Sequence, residues 1–134
     1  MPVSPYLFFN GNCAEAMRFY EKTLGGKLEA LMTYGESPEG CPDTVTPDRI
    51  MHASLKLNDG SVIMASDAHT GAADPMRGFA IATGYATLEK TKAVFDALCE
   101  GGKVVMPWGK TFWSEGFGMV SDRFGTHWML GVEA

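Results

Sequence analysis

The sequence lacks the features that mark several large classes of protein. Its three cysteines, Cys13, Cys41 and Cys99, are odd in number and form no C-x-x-C pair, a pattern that favours reduced thiols in a cytoplasm over a disulfide framework or a zinc knuckle. No apolar run approaches the roughly 18–20 residues of a membrane span. The start, MPVSPYLFF, has neither the basic segment nor the long apolar core of a signal peptide. We therefore expect a cytoplasmic protein that does not bind membranes.

Positive charge is also scarce. Eleven Lys and Arg residues face 16 Asp and Glu residues, which leaves a net charge of −5, and the basic residues do not cluster. Nucleic acid is therefore not an expected partner. The chain does contain 46% hydrophobic and 20% charged residues in a length of 134, which predicts one globular domain with a substantial core.

Two halves of the chain resemble each other. The stretches YLFFNGNCAEAMRFYEKTLGGKLEALMTY and FAIATGYATLEKTKAVFDALCEGGKVVMPW each predict a strand, a helix and a strand. In both, Gly-Gly-Lys leads into the second strand, and a Phe (Phe19, Phe95) lies six residues before the glycine pair. We predict N-caps at Asn12, with Glu15 three residues on, and at Thr87. The predicted buried stripes are Ala16, Phe19, Thr23 and Leu24 in the first helix and Leu88, Thr91, Phe95 and Leu98 in the second.

The hairpins match as well. LKLNDGSVIMAS and GMVSDRFGTHWMLG each place a turn glycine (Gly60, Gly125) four residues before a methionine (Met64, Met129). The chain is therefore predicted to be an α+β domain of two tandem βαβββ modules, about 4–67 and 78–133, joined by a linker, 68–77. Each mixed sheet packs a helix on one face and curves its other face around a cup. The polar, Pro/Gly-rich insertion 34–48 is either a mobile lid or a long loop.

His52 is the most informative single residue. Alternation along residues 50–57 predicts that Met51, Ala53, Leu55 and Leu57 face the helix, whereas Ile50, His52, Ser54 and Lys56 face the cup. Met64 joins His52 if the hairpin loop has three residues and leaves it if the loop has two. A histidine in this place is a hydrogen-bonded core residue, a general base or a metal ligand.

Several stretches carry a resemblance to a known family: PYLFFNGNCAEAMRFYEKTLGG, DRIMHASLKLNDG, VIMASD and LCEGGKVVMPWGKTFWSEGFGMVSDRFGTHWML. The chain resembles the vicinal oxygen chelate superfamily of glyoxalases, bleomycin-resistance proteins and extradiol dioxygenases, and within it the PhnB-like subgroup. The resemblance covers nearly the whole chain, and FW…FGMV.D.FG..WM is quite specific to the subgroup. Members of the subgroup often carry the name 3-demethylubiquinone methyltransferase.

The resemblance implies that an ancestral metal centre has been lost. In metal-using relatives the ligands come from the start of each module's first strand, from a strand before the first hairpin turn and from the last strand. These positions fall here near Pro5 or Tyr6, near Phe79, at His52 and at Met129. Only His52 keeps a ligand group, and one imidazole does not hold a metal. We therefore expect neither a metal nor another cofactor.

The remaining cup is rich in rings and sulfur, which suits a planar or apolar small molecule. Glu36 is a further polar anchor if the 34–48 segment folds inward. Because two modules, often with a second chain, complete such cups in this superfamily, we expect a homodimer. The predicted ligand-binding residues are Tyr6, Phe8, His52, Ser54, Phe79, Trp108, Phe112, Trp113, Phe117 and Met129.

Four functions follow as alternatives, and the last of them is a structural or partner-binding module. The leading one is a binder of a small apolar or aromatic molecule that needs no metal. The second is a lyase, isomerase or dioxygenase that uses His52 as a base or as one ligand of a rearranged metal site. The third, a methyltransferase, is disfavoured because the sequence has no G-x-G-x-x-G turn and leaves no room for the parallel sheet that binds the usual sulfonium cofactor.

Overall fold

The structure is a computed structural model that describes residues 2–70 and 72–133. Its contacts divide the chain into two units, Met1–Asp74 and Pro75–Ala134, and the boundary falls inside the predicted linker 68–77. None of the helices in the described residues is long and apolar enough to cross a membrane.

The first unit is one four-stranded sheet with one helix. Its sheet order is β1-β4-β3-β2, with β1 parallel to β4 and the other neighbours antiparallel. A π-helical turn, Glu21–Gly25, follows the helix, and a 3-10 turn, Tyr34–Glu36, follows β2. The elements are β1 (Tyr6–Phe9), α1 (Cys13–Tyr20), β2 (Gly26–Thr33), β3 (Ile50–Leu57) and β4 (Val62–Asp67).

The second unit repeats this arrangement. Its sheet order is β5-β8-β7-β6, again with one parallel pair, β5 and β8, and two antiparallel pairs. The predicted α+β fold of two βαβββ modules with mixed sheets is thereby confirmed. The elements are β5 (Ile81–Thr83), α2 (Leu88–Cys99), β6 (Lys103–Gly109), β7 (Phe117–Ser121) and β8 (His127–Gly131).

Each helix buries one stripe against its own sheet. The stripes are Cys13, Ala16, Met17 and Tyr20 in α1 and Thr91, Val94, Phe95 and Leu98 in α2. Both follow the i, i+3, i+4, i+7 spacing of a single helical face. Three predicted positions were therefore wrong: Phe19 and Thr23 are only half-buried, and Leu88, the first residue of α2, is 44% exposed.

The two helices begin differently. The Thr87 side chain accepts a hydrogen bond from the Lys90 amide (3.1 Å), which confirms the predicted N-cap of α2. Asn12 occupies the N-cap position of α1, but its side chain makes no capping hydrogen bond. The Asp67 carboxylate at the end of β4 replaces it, because its Oδ1 accepts from the amides of Gly11 (2.7 Å) and Cys13 (3.1 Å).

The two hairpins, β3–β4 and β7–β8, have the same turn. The Leu57 amide donates to the Ser61 carbonyl (2.8 Å) and the Asp122 amide to the Thr126 carbonyl (2.9 Å), so each loop has three residues. Such loops end on a residue with left-handed backbone angles. Gly60 (φ 92°) and Gly125 (φ 91°) supply that conformation.

Candidate functional site

The face of each sheet that is turned away from its helix is called its open face. In the first sheet, Ala53 and Leu55 are completely buried on the helix side, whereas His52 and Ser54 are half-buried on the other side, as predicted. Ser54 pairs with Met64 across the hairpin. Because directly paired residues share a face, Met64 lies on the open face, as the three-residue loop requires.

The predicted alternation fails at one end of β3. Met32 pairs with His52 and Thr33 pairs with Ile50, so Met51 is the extra residue of a β-bulge. A bulge shifts the phase of the side chains beyond it. Ile50 is therefore buried (4% exposed) instead of facing the open side as predicted.

Tyr6 and His52 form a hydrogen-bonded pair on the open face of the first sheet. Tyr6 pairs with Met64, and Phe8 with Ser66, so alternation places Tyr6, Phe8, His52 and Ser54 together on one side. The Tyr6 hydroxyl lies 3.1 Å from His52 Nδ1, and the Tyr6 ring lies 5.2 Å from that of Phe8 and 5.9 Å from that of His52. The structure thus brings together these four predicted residues.

This surface is apolar and accessible. Tyr6 is 38% exposed, Phe8 53% and Met32, which pairs with His52, 38%. Rings and a thioether offer broad contact to a planar apolar molecule, while the phenol and imidazole provide polar anchors. Sequence reasoning missed Met32, which the register of β2 against β3 brings to His52.

The open face of the second sheet contains a pocket of about 380 Å³. Its lining includes two predicted residues, Phe79 and Met129, and eight that sequence reasoning did not assign to the site. Met119 pairs with Met129, so alternation across the β7–β8 hairpin was the signal that would have found it. The residues whose side chains matter below are Arg77, Phe79, Val105, Met119, His127 and Met129.

The other predicted aromatic residues are placed elsewhere in the second unit. The Trp108 ring packs 5.4 Å from that of Phe95 on α2, which is the helix side of the sheet. Phe112 (97% exposed) and Trp113 (55%) lie in the loop between β6 and β7. Trp113 packs edge-on against Phe117 at 5.5 Å. None of these four residues lines the pocket that holds Phe79 and Met129.

Glu36 is engaged in its own turn rather than serving as an inward anchor. Its carboxylate accepts from the amide (3.0 Å) and the hydroxyl (2.8 Å) of Thr33. These hydrogen bonds hold the pKa of the Glu36 carboxyl below its ordinary value, and the one from the Thr33 amide contributes most. The neighbouring backbone is pinned as well, because the Gly35 amide donates to the Pro47 carbonyl (2.9 Å).

The thiols of Cys13 and Cys99 are poorly suited to nucleophilic chemistry. All three cysteines are free of disulfides. Burial, followed by the charge of Asp67, raises the pKa of the Cys13 thiol to about 12, and burial also raises the pKa of Cys99. Since the thiolate is the nucleophile, neither residue suits nucleophilic catalysis near neutral pH.

The donor atoms do not fit the metal that the fold family implies. Among residues 2–70 and 72–133, no group of three or more His, Cys, Asp and Glu side chains comes together. The inherited ligand positions offer a phenol, a phenyl ring, a thioether and one imidazole whose Nδ1 is paired with Tyr6. Protein sites for divalent metals combine several carboxylate or imidazole ligands, and these positions supply one imidazole.

Fold, repeat and site together define the family. The chain belongs to the Glyoxalase/Bleomycin resistance protein/Dioxygenase superfamily, whose model matches residues 3–130.

Relatives place it in the PhnB-like subgroup of that superfamily. Protein YjdN from Escherichia coli (strain K12) is 41% identical over 141 residues, which span 98% of this chain and 95% of that protein. Protein PA1353 from Pseudomonas aeruginosa is 43% identical with a TM-score of 0.90, covering 99% of this chain and 98% of that one. The PhnB protein from Bacillus cereus, described as a candidate 3-demethylubiquinone-9 3-methyltransferase, is 26% identical with a TM-score of 0.82, covering 99% of this chain and 100% of that one.

Proposed function

We propose that this protein binds a small apolar or aromatic molecule on the open faces of its sheets, without a metal. The observation that carries the proposal is the pocket of about 380 Å³ on the second sheet, walled by Phe79 and Met129. Its volume falls in the range of about 300–1,000 Å³ that small-molecule pockets occupy.

Exposure of apolar groups supports the same function. Phe79 is 50% exposed and Val105 55%. Leaving a phenyl ring in water forgoes about 1.5–3 kcal/mol of burial free energy, and a bound apolar molecule would recover part of it. A contiguous apolar surface of this kind marks a binding site more often than a scattered exposed residue does.

A direct test is titration of the protein with the uncharged fluorescent probe N-phenyl-1-naphthylamine. We expect saturable binding that Phe79→Ala weakens, whereas Phe112→Ala, the same substitution in the exposed loop, leaves it unchanged. Binding that depends on Phe112 and not on Phe79 would move the site to that loop. No saturable binding of this probe or of other planar apolar molecules would refute the function.

Metal analysis tests the second half of the proposal. Protein purified without chelators should contain no stoichiometric divalent ion. A bound ion lost in His52→Ala would instead support the chelate-type chemistry of the superfamily.

A second candidate function is proton-transfer catalysis by His52. The Tyr6–His52 hydrogen bond favours this function when the imidazole, and not the phenol, is the donor. If Nδ1–H donates to the Tyr6 oxygen, Nε2 is left without a proton and can act as a base; if Tyr6 donates, Nε2 carries the hydrogen. Turnover of methylglyoxal with glutathione that His52→Ala abolishes and Ser54→Ala preserves would support this alternative. Unchanged turnover in His52→Ala would show that His52 does not catalyse the reaction and would refute this alternative.

Methyl transfer is the third candidate, suggested by the description of the Bacillus cereus PhnB protein. The topology argues against it, because each sheet has one parallel pair only, whereas the usual cofactor fold uses an open, mostly parallel sheet. Calorimetry with S-adenosylmethionine should detect no binding.

We also propose a cytoplasmic homodimer. Support comes from β6, an edge strand of the second sheet, whose Val104, Val105 and Met106 are 46%, 55% and 41% exposed. An apolar edge strand invites pairing with another chain. Sedimentation equilibrium should give twice the mass of the chain, 14.5 kDa, and a monomer at high concentration would contradict this.

A further inference from the structure

We propose that the pocket of the second unit selects an apolar molecule that bears an anionic group, and that Arg77 binds this group. This inference rests on the proposed binding function and names its ligand class. The pocket combines a guanidinium with walls made of Phe79, Val105, Met119 and Met129. An aromatic or aliphatic carboxylate satisfies both features in a single molecule.

The backbone on either side of Arg77 is anchored. On one side, His127 Nε2 lies 2.7 Å from the Met76 carbonyl oxygen; since a carbonyl only accepts, this nitrogen carries the proton and donates. On the other side, Gly78 turns the chain with a φ of 79°, which few other residues adopt. Phe79 and Ala80 then lead into β5, which begins at Ile81, so the segment that carries Arg77 continues into the sheet that forms the pocket.

The charge of Arg77 is left for a ligand. In the part of the chain that the structure describes, Arg77 forms no ion pair, and no acidic residue lines the pocket. Arg77 is exposed and lines an apolar pocket whose lining has no carboxylate, so an incoming anion can reach its guanidinium. Arginine binds carboxylates through two parallel hydrogen bonds, which adds direction to the attraction.

The apolar walls define the other part of the ligand. Met119 and Met129 pair across β7 and β8, so two thioethers lie side by side next to Phe79. Methionine sulfur makes favourable contacts with aromatic ring edges and adapts its shape to the molecule that it meets. The pocket therefore recognises a flat apolar body through contact and its charged end through Arg77.

Calorimetry with 2-naphthoate and 2-naphthamide tests the inference, because these ligands share their rings and differ in charge. The wild-type protein at low salt should bind the naphthoate about tenfold more tightly, the gain expected of one partly exposed charged hydrogen-bonded pair. Arg77→Gln should abolish this preference and leave naphthamide binding unchanged, which shows that the pocket is intact. Arg77→Lys should keep part of the preference. Arg123→Gln, a control arginine that lies over the Phe124 ring at 4.5 Å, should keep all of it.

The outcomes separate this inference from the proposed function. Equal affinity of the wild type for both ligands would overturn the role of Arg77 and leave the apolar binding function standing. A naphthoate preference that persists in Arg77→Gln, or a loss of both ligands in that variant, would also overturn it. Failure of both ligands to bind the wild type would overturn both proposals.

Discussion

The two units share a scaffold and differ in what their open faces carry. On the helix side they match closely: each helix buries a stripe with the same spacing, and the residue eight positions after each N-cap, Tyr20 or Phe95, is a buried aromatic ring. On the open side, the first unit presents the hydrogen-bonded Tyr6–His52 pair, whereas the second presents thioethers and Phe79.

This difference separates the requirements of folding from those of function. Burial of the helix side supplies the free energy that holds each unit together, so its residue types are constrained. The open faces contribute less to that core and can change chemistry while the sheet stays the same. Two sheets of the same topology accordingly carry different sites, a phenol–imidazole pair in the first unit and an apolar pocket with an arginine in the second.

The units also differ in how buried carboxylates are used. Asp67 joins three distant segments, because it accepts from the Gly11 and Cys13 amides before and in α1 and from the Ile50 amide of β3 (2.8 Å). Asp122 accepts hydrogen bonds within its own hairpin, from the Phe124 and Thr126 amides (2.9 and 3.0 Å) and from Trp128 Nε1 (2.9 Å).

The largest predicted effect comes from removing these carboxylates. We expect Asp67→Ala to lower the free energy of unfolding by about 3 kcal/mol or more, because three amides around a buried site lose their acceptor. Asp122→Ala should cost less, about 2 kcal/mol, since a hairpin turn can relax toward water more easily than three separate segments. Urea denaturation of both variants measures the difference.

Asp59→Ala is the control for this pair, because Asp59 bonds to Ser61 within the exposed turn of the first hairpin. It should change stability little. If Asp122→Ala proved as costly as Asp67→Ala, the distinction between a carboxylate that ties segments together and one that closes a turn would be wrong.

Much of the scaffold was predictable from the sequence because its signals are local. The repeated glycines marked the two hairpin turns, although not their length, and Thr87 capped α2 as its position indicated. Asp67 was not predictable as the cap of α1, because its carboxylate comes from β4, 54 residues beyond Cys13 in the chain. Asn12 has the right residue type for a cap, but a distant group took its role.

The sequence predicted which face of the sheet carries the site better than it predicted which residues form the site. Alternation placed His52 and Ser54 on the open side, yet the bulge at Met51 moved Ile50 into the core. Aromatic content alone assigned Trp108 to the cup, whereas the structure packs it on Phe95. Arg77 could not be assigned because its position depends on the path of a connecting segment, which periodicity does not report, whereas alternation across the β7–β8 hairpin would have found Met119.

A second test compares equivalent helix-facing positions, Ala53 and Gly118, each four residues before the residue that opens its hairpin, Leu57 or Asp122. A Cβ atom at Gly118 would lie 2.6 Å from Cε1 of the Phe95 ring. We therefore expect Gly118→Ala to cost about 1–3 kcal/mol through overpacking. The reverse change, Ala53→Gly, should cost about 0.5–1 kcal/mol by loosening the strand.

Thermal unfolding of these two variants measures both changes. A double variant, Gly118→Ala with Phe95→Leu, sharpens the test, because a smaller side chain at position 95 should relieve the clash. If Gly118→Ala were neutral, the Phe95 ring would have room to move, and the close approach of α2 to β7 would not limit this position.

The smallest expected effect compares the two N-caps. Thr87→Ala should destabilise the protein by about 1 kcal/mol, since the Lys90 amide loses its acceptor. Asn12→Ala should change stability by only a few tenths of that amount, because Asp67, and not Asn12, accepts from the first amide of α1. Urea denaturation at one temperature resolves the two, and Asn12→Ala in an Asp67→Asn background provides the decisive comparison. If Asp67 is the cap, Asn12→Ala should cost little stability as long as Asp67 is intact. A large loss of stability from Asn12→Ala alone would instead show that the asparagine side chain caps α1 in solution and that the two helices begin alike.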